Sequence, residues 1–590
     1  MKKIFLLPLL SLSLGSLLLG SCSNDADKGI NGNDPDKVSR SFLSITLMSP
    51  HAVTRADGVY EDGYDYENYV NDIRFYFFDA EGYPVMVSKN VQNNTYLPYI
   101  DWTPPVNQEN SPKEPDETVE KIMTTIIGIT QPVGSEKPSL VLAVLNPPSF
   151  IKALSTESSN PTLTELRNTV EDFYTDLYNN NFVITNSVYV DLDENKNDEI
   201  IYATHITEDN FGDTEEDEMT PLTIYVERVL ARLDFQLSLT NDSRQVTIDN
   251  NPVTIYKISD KNVDGGSMDI YINLLGWNIA QTPNKSRLVK EINSLWGDDL
   301  FSDNEPWNIA GYHRSFWAIN PPASQFDYQQ LTFDHVPGSS DEYATQYPVP
   351  SNNSKADPIY MQENAADYAT LSSGEGPEKP TAVILGARLV DENGETIQLV
   401  KWGNKYYTQE GALIDVANSL SLYSKTVTDE GVTYSRIKPT DLKLVAANNM
   451  TGLNQDVEEY WVYVQLNEDA KAKTWYNGNT EAAIPYESSN AVNKYILETI
   501  NYLLVWNEGD TYYYIYIRHL GDEGGPGYYG VVRNHIYRVN LNLINGIGTP
   551  VFDPDEVFTP TEPEDDTYSI TAQVKILQWR VVSQDYEISF

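Results

Sequence analysis

One cysteine, Cys22, stands in 590 residues, so no internal disulfide can form and the fold must draw its stability from a packed core. Histidine is scarce as well. His51, His205, His313, His335, His519 and His535 are scattered along the chain, and none falls in an H-E-x-x-H or comparable metal-binding pattern. Neither a nucleophile elbow nor a phosphate-cradling glycine loop occurs, and Gly524-Gly525-Pro526-Gly527 lacks the helix that such a loop requires. Acid pairs for glycoside hydrolysis could be drawn at will from 86 carboxylates, which deprives any one pair of meaning. The chain therefore reads as a non-enzyme with no implied cofactor. Positive charge is the third shortage: 40 Lys and Arg face 86 Asp and Glu, for a formal net charge of −46. That sign opposes phosphate neutralisation and argues against a nucleic-acid partner.

What is present begins at the amino terminus. Lys2 and Lys3 precede an apolar run from Ile4 to Leu19 that ends in small residues, the pattern of an export signal and too short for a comfortable membrane span. The run closes on Leu19-Gly20-Ser21-Cys22, which resembles the lipobox of bacterial lipoproteins. That resemblance implies cleavage before Cys22 and lipidation of its thiol. Residues 23–36 are rich in Asn, Asp, Gly and Ser, as in a flexible tether.

Short runs rich in Val, Ile, Tyr and Phe, separated by Asn, Asp, Gly and Pro clusters, dominate the rest, and 40 tyrosines fit that pattern. Ser41–Met48, Asp72–Phe78, Ser139–Leu145, Phe182–Val190, Leu222–Ser238, Met268–Trp277, Thr381–Leu389, Glu459–Leu466, Tyr512–Arg518 and His535–Leu543 all have strand length or divide into strands at a bulge. A mainly β, sandwich-type architecture follows. Helical spacing shows in Pro161–Tyr174, where Leu163, Leu166, Val170 and Phe173 recur behind the cap residue Thr162, and again around Glu410–Leu422. A domain boundary is expected near Asn241–Asn251, and Phe552–Asp566 reads as a linker with little to pack.

Two segments suggest a mechanism. In Ser41–Arg55, Leu43, Ile45 and Leu47 fall on one face of a strand that Pro50 ends, and a basic cut site follows at Arg55-Ala56. If that strand left its sheet, the groove behind it would lack three aliphatic side chains worth about 1.5–3 kcal/mol each. The other segment is Tyr568–Phe590, where Tyr568, Ile570, Ala572, Val574 and Ile576 alternate with polar residues. Phase shifts then group Trp579 with Val581, and Val582 with Tyr586, Ile588 and Phe590, as bulges would. Such a strand on a linker either folds back on its own domain or fills a groove in a neighbour.

The stretches Ser41–Pro50, Val70–Asp79, Tyr225–Arg232, Arg533–Arg538, Gly546–Val551 and Trp579–Gln584 together resemble the Mfa1-like type V pilins of Bacteroidales, the major subunits of the minor fimbriae of Porphyromonas and their Bacteroides relatives. The resemblance runs over nearly the whole chain, with the motifs in order. It implies two tandem transthyretin-like β-sandwich domains with a few short helices, a removable amino-terminal strand and a carboxy-terminal donor strand. On that pattern residues 1–21 are the lipoprotein signal peptide, 22–55 the tether and removable strand, 56–245 and 246–551 the two sandwiches, and 552–590 the linker and donor strand. The lipidated residue is then Cys22, the cut bond Arg55-Ala56, the displaced strand Ser41–Ser49 with Leu43, Ile45 and Leu47, and the donor Tyr568–Phe590 with Ile570, Val574, Ile576, Trp579, Val581, Tyr586 and Ile588. The implied partners are identical or related pilin subunits joined head to tail, an arginine-specific protease, the outer membrane through the lipid on the precursor, and a host or bacterial surface ligand. Localisation follows as outer membrane, then cell-surface fimbrium. Arg40 is a second cut point, one that would spare the strand.

Two other readings stay open: a tip or accessory adhesin of such a fibre, to which the length of the chain inclines, and a surface glycan-binding lipoprotein that would keep Cys22 in its mature form. Asp191, Asp193, Asn195 and Asn197 alternate as in a calcium loop, but Lys196 stands in place of the loop's glycine and Tyr202 in place of its closing glutamate, so a solvated turn is the simpler reading and no metal is assigned.

Overall fold

The computed structural model describes residues 38–50, 60–61, 63–88, 96–104, 119–132, 134–155, 159–174, 182–191, 199–215, 217–292, 318–333, 347–365, 379–429, 431–450, 460–519, 529–555, 570–571 and 579–588. It is mainly β, and the strand runs expected from the sequence are all found as strands or pairs of strands. The first sandwich forms from a sheet of nine described strands. On one side lie Val38–Pro50 and Val119–Pro132; on the other lie Ile73–Phe78, Tyr99–Trp102, Leu140–Leu145 and Ile184–Asn186. Leu222–Arg228 joins the two, pairing through Leu222–Tyr225 with the first strand and through Val226–Arg228 with Ile184–Asn186. The core between them brings Leu43, Ile45, Leu47, Ile127 and Ile129 against Ile73, Phe75, Phe77, Val141 and Leu145. Ile73–Phe78 is buried on both faces, because Tyr76 and Phe78 pack outward on Ile151, Leu166 and Phe173, which explains a sequence apolar but for Arg74, whose guanidinium is paired with Asp101.

The second sandwich stacks a sheet holding Ala231–Leu237 and His535–Ile544 on one holding Asn251–Val263, Gly266–Ala280, Ala382–Val390 and Asp510–Tyr516. Between them Trp277 is fully buried, its ring 4.7 Å from that of Phe235. The two sandwiches repeat one topological device. In each, the first strand pairs in parallel with the last long strand before the chain crosses over or runs on to its tail: Ile45–Met48 with Leu222–Tyr225, and Arg232–Leu237 with Ile536–Leu541.

The chain crosses from one sandwich to the other between Arg228 and Ala231, not at Asn241–Asn251. Those polar residues instead form a hairpin, Ser243–Ile248 with Asn251–Val263, turned by Asp249 and Asn250 at positive φ. The helix expected in Pro161–Tyr174 is a single short one, Leu163–Arg167, capped by Thr162 and Glu165 as a reciprocal pair. The second expected helix is Gln409–Ser419, capped by Thr408. It belongs to a lobe, 408–503, that also holds the helix Ser489–Ile500 and packs Val416, Trp475 and Ile496 into a core shared with Val400, Tyr407 and Val505.

A buried ionic network fastens the junction. Glu67, on the short helix Asp65–Asn68, accepts from Arg232 Nη1 at 3.0 Å and from the Tyr360 hydroxyl at 2.5 Å. Arg232 Nε donates to Asp234 at 3.0 Å, and Lys355 Nζ reaches the other oxygen of Asp234 at 2.5 Å. Arg228 donates to the Glu67 carbonyl and to Asn534 Oδ1, each at 3.0 Å. Glu67, Arg232 and Asp234 are at most 2% exposed. Removing Glu67 takes away the buried carboxylate to which Arg232 Nη1 and the Tyr360 hydroxyl donate and leaves Asp234 alone to balance the buried guanidinium, so Glu67→Ala should lower the unfolding free energy by about 3–5 kcal/mol. A urea midpoint that moves by less than the equivalent of about 1 kcal/mol would mean the junction does not rest on this pair.

The same network predicts a pH dependence. Burial pushes the Asp234 carboxyl up, but Arg232 and Lys355 more than offset it and hold it below the ordinary 3.8. A folded-state value below the unfolded one gives stability that is full above the unfolded value and is lost as pH falls through the folded one. Acid titration of unfolding should thus show a loss beginning below about pH 4 that is smaller in Asp234→Asn.

Candidate functional site: the first strand and the seat of the last

The first strand, Val38–Pro50, is an interior strand rather than an edge. Along one side it pairs antiparallel with Val119–Pro132, from Val38 opposite Pro132 to Pro50 opposite Val119, with one irregularity at Leu47/Met48. Along the other it pairs antiparallel with Phe211–Gly212 through Phe42 and Leu43, then in parallel with Leu222–Tyr225 through Ile45–Met48. Period-two alternation turns Leu43, Ile45 and Leu47 into the core, where each is fully buried. The three residues named from the sequence therefore come together. Lifting this strand out would bare backbone groups on both walls and empty three aliphatic sockets, a slot shaped for another strand.

Arg40 lies inside the paired strand, opposite Thr130, with its guanidinium 4.7 Å above the Phe42 ring. A protease that needs an extended, unpaired backbone would have to open the sheet to reach it. Cys22, Arg55 and Ala56 lie outside the described residues, as do Val574, Ile576 and most of the candidate calcium loop. Among the described residues no group of His, Cys, Asp and Glu is arranged to hold a metal ion, and no helix is long and apolar enough to cross a membrane.

The carboxy-terminal strand, Trp579–Ile588, carries Trp579, Val581, Tyr586 and Ile588 and is paired within its own chain. It runs parallel to His535–Ile544, from His535 opposite Arg580 to Ile544 opposite Ile588, with a bulge at Leu541/Leu543. Its outer edge is bracketed at both ends. Tyr60–Glu61 pairs with Arg580 and Trp579, and Ile570–Thr571 returns antiparallel onto Ile588 and Glu587. Of the two destinations open to the tail from its sequence, the structure shows the seat in its own second sandwich. The bracket Tyr60–Glu61 gave no sequence signal, since two residues cannot show a period.

Residues 505–585 match the family described as "Major fimbrial subunit protein type IV, Fimbrillin, C-terminal". The chain resembles the fimbrillins. Its fimbrillin-like segment takes in the strand His535–Ile544 and reaches into Trp579–Ile588, and so holds the seat and most of its occupant. No curated protein matches the chain. Among solved structures, a protein of Parabacteroides distasonis ATCC 8503 assigned to cell adhesion is 11% identical, with 93% of this chain and all of that one covered at a TM-score of 0.33. The tip fimbrial protein Mfa3 from Porphyromonas gingivalis, truncated at its carboxy terminus, is 12% identical over 66% of this chain and 98% of that one, at 0.26. A fimbrial assembly protein from Parabacteroides distasonis ATCC 8503 is 9% identical over 59% and 96%, at 0.23. Scores this low leave the chain's own pairings to carry the functional reading.

Ile45 sits at the middle of the buried face, so Ile45→Ala in the uncut chain should cost about 2–5 kcal/mol in unfolding free energy. Thr46→Ala, one residue along, removes no aliphatic side chain from that core and should cost clearly less, and equal costs would place the strand's weight outside the core.

Proposed function

We propose that the chain is a fimbrial subunit, structural and not catalytic, that polymerises by exchange of strands after proteolysis. On this reading it is exported as a lipoprotein on Cys22, reaches the outer membrane and is cut at Arg55-Ala56 by an arginine-specific protease. The strand Ser41–Ser49 then leaves, and Tyr568–Phe590 of the next copy fills the slot. The domain scheme goes with it: a removable piece, 22–55, ahead of two sandwiches, with 552–590 as linker and donor.

The observation that carries the proposal is the pairing of the first strand. An interior strand with three aliphatic side chains in the core is held strongly while it is in place, yet its covalent connection to the two sandwiches runs through residues 51–59. Cutting that connection turns an intramolecular contact into a bimolecular one, which dilution favours losing. The empty slot then exposes apolar surface and unpaired backbone, and any strand of matching phase lowers the free energy by entering. The tail is suited to it. In its own seat it runs parallel to the last strand of a sandwich, and a donor that took over the place of Val38–Pro50 in the same direction would again run parallel to a last strand, Leu222–Arg228. Donor and acceptor surfaces lie on different parts of one molecule, so the contact is heterologous and builds an open filament.

Limited digestion of purified precursor with an arginine-specific protease provides the test, comparing the full chain with one lacking Tyr568–Phe590 on unboiled detergent gels. A resistant ladder whose subunits begin at Ala56, absent from the tailless chain, is the expected result. Cleavage at Arg55 that leaves only monomers would defeat the proposal and favour the tip-adhesin or glycan-binding reading.

A further inference from the structure

The outer edge of the tail strand is held at two places, and they differ in kind. Ile570–Thr571 is part of the tail segment itself and departs with it. Tyr60–Glu61 belongs to the body of the protein, and among the described residues it is the piece of the body that pairs with that edge. We propose that Tyr60–Glu61 is a clasp that keeps the subunit's own carboxy-terminal strand in its waiting seat, and that the cut which frees the first strand also loosens the clasp. This rests on the strand-exchange reading above.

Connectivity supports the coupling. Downstream, the clasp is three residues from Tyr64, whose backbone N–H donates to Glu67 Oε2 at 2.8 Å, and Glu67 is locked to Arg232 and Tyr360. Upstream, residues 51–59 lead to Pro50, the end of a strand paired on both edges. In the uncut chain Tyr60–Glu61 is therefore a stretch of a closed loop between two fixed points, and pairing with Trp579–Arg580 costs it little further ordering. After a cut at Arg55 the same residues lie four and five positions from a new chain end, where short pairings fray.

The clasp also sits where it matters most for release. The tail is zipped along its inner edge to His535–Ile544, and such a ladder opens from an end. Tyr60–Glu61 covers the Trp579–Arg580 end, and the opposite end is tied back by the tail's own Ile570–Thr571. A single proteolytic event would thereby open an acceptor slot in the first sandwich and make a donor available from the second. Before the cut both are occupied within one molecule, which keeps the precursor from joining its neighbours early.

The test is hydrogen exchange on the full, uncut chain, comparing the wild type with a Tyr60→Pro, Glu61→Pro double variant. Proline removes the backbone donors of the clasp and leaves Val38–Pro50 untouched. Amides of Trp579–Val582 should exchange about tenfold faster in the variant, with those of Leu43–Leu47 unchanged. Wild-type chain cut at Arg55 and kept dilute should show the same acceleration at Trp579–Val582 while still monomeric. Should the Leu43–Leu47 amides of the variant also speed up, its fold is damaged and the cut wild-type chain decides alone. Unchanged Trp579–Val582 exchange on cutting overturns the clasp, even if ladders form, and strand exchange then stands without it. Faster exchange with no ladder keeps the clasp and removes the strand-exchange reading.

Discussion

The carboxylate of Glu67 is the point at which the parts of this molecule are tied to one another. It lies a dozen residues past the expected cut, fully buried, and receives a guanidinium from the first strand of the second sandwich and a hydroxyl from the strand Ile359–Met361. Arg228, from the last strand of the first sandwich, donates to its carbonyl. Two sandwiches and the segment leading into them thus meet at one residue. Buried ion pairs contribute little net stability relative to well-packed apolar groups, because desolvation consumes much of the attraction. Their effect is to forbid alternatives, since a shifted junction would strand a charge in a dry interior. Lys290 with Glu227 and Arg533 with Glu363 apply the same constraint nearby.

Both ends of the described chain are strands laid beside the last strand of a sandwich in the parallel direction. The first is interior and contributes Leu43, Ile45 and Leu47 to a core; the last lies near an edge and is bracketed by short pairings. The difference sets their stabilities. One is paired along both edges and packed in a core, and the other is held by a ladder along one edge and by two short pairings along the other.

The sequence disclosed the strands well and their partners poorly. Alternation at Leu43, Ile45 and Leu47 named the buried face correctly, because a strand with one face in a core has no other way to be written. Thr162 and Glu165 marked a helix start through local hydrogen bonds alone. The run Leu222–Ser238 looked like one long strand, yet it changes sheets at Val229–Leu230, two apolar residues that go into a core and so leave no polar break to read. The polar run after it suggested a boundary and is a hairpin. Glu67 and Tyr60–Glu61 were illegible for a deeper reason: their roles depend on residues hundreds of positions away, Tyr360 and Trp579 among them, and a local window contains neither.

The lobe 408–503 leaves the second sandwich after Lys405–Tyr407 and returns at Leu504–Trp506, and both strands flank the same neighbour, Leu399–Trp402. Its entry and exit are therefore side by side, and its core around Trp475 is continuous with Val400, Tyr407 and Val505 of the strands that carry it. Residues can be added to such a lobe or removed from it at a small entropic cost, because the cost of bringing its ends together grows only slowly with the length between them. Among the described residues, no pairing of Val38–Pro50 or of Trp579–Ile588 involves a residue of the lobe, so a change within it leaves the seats of both end strands as they are.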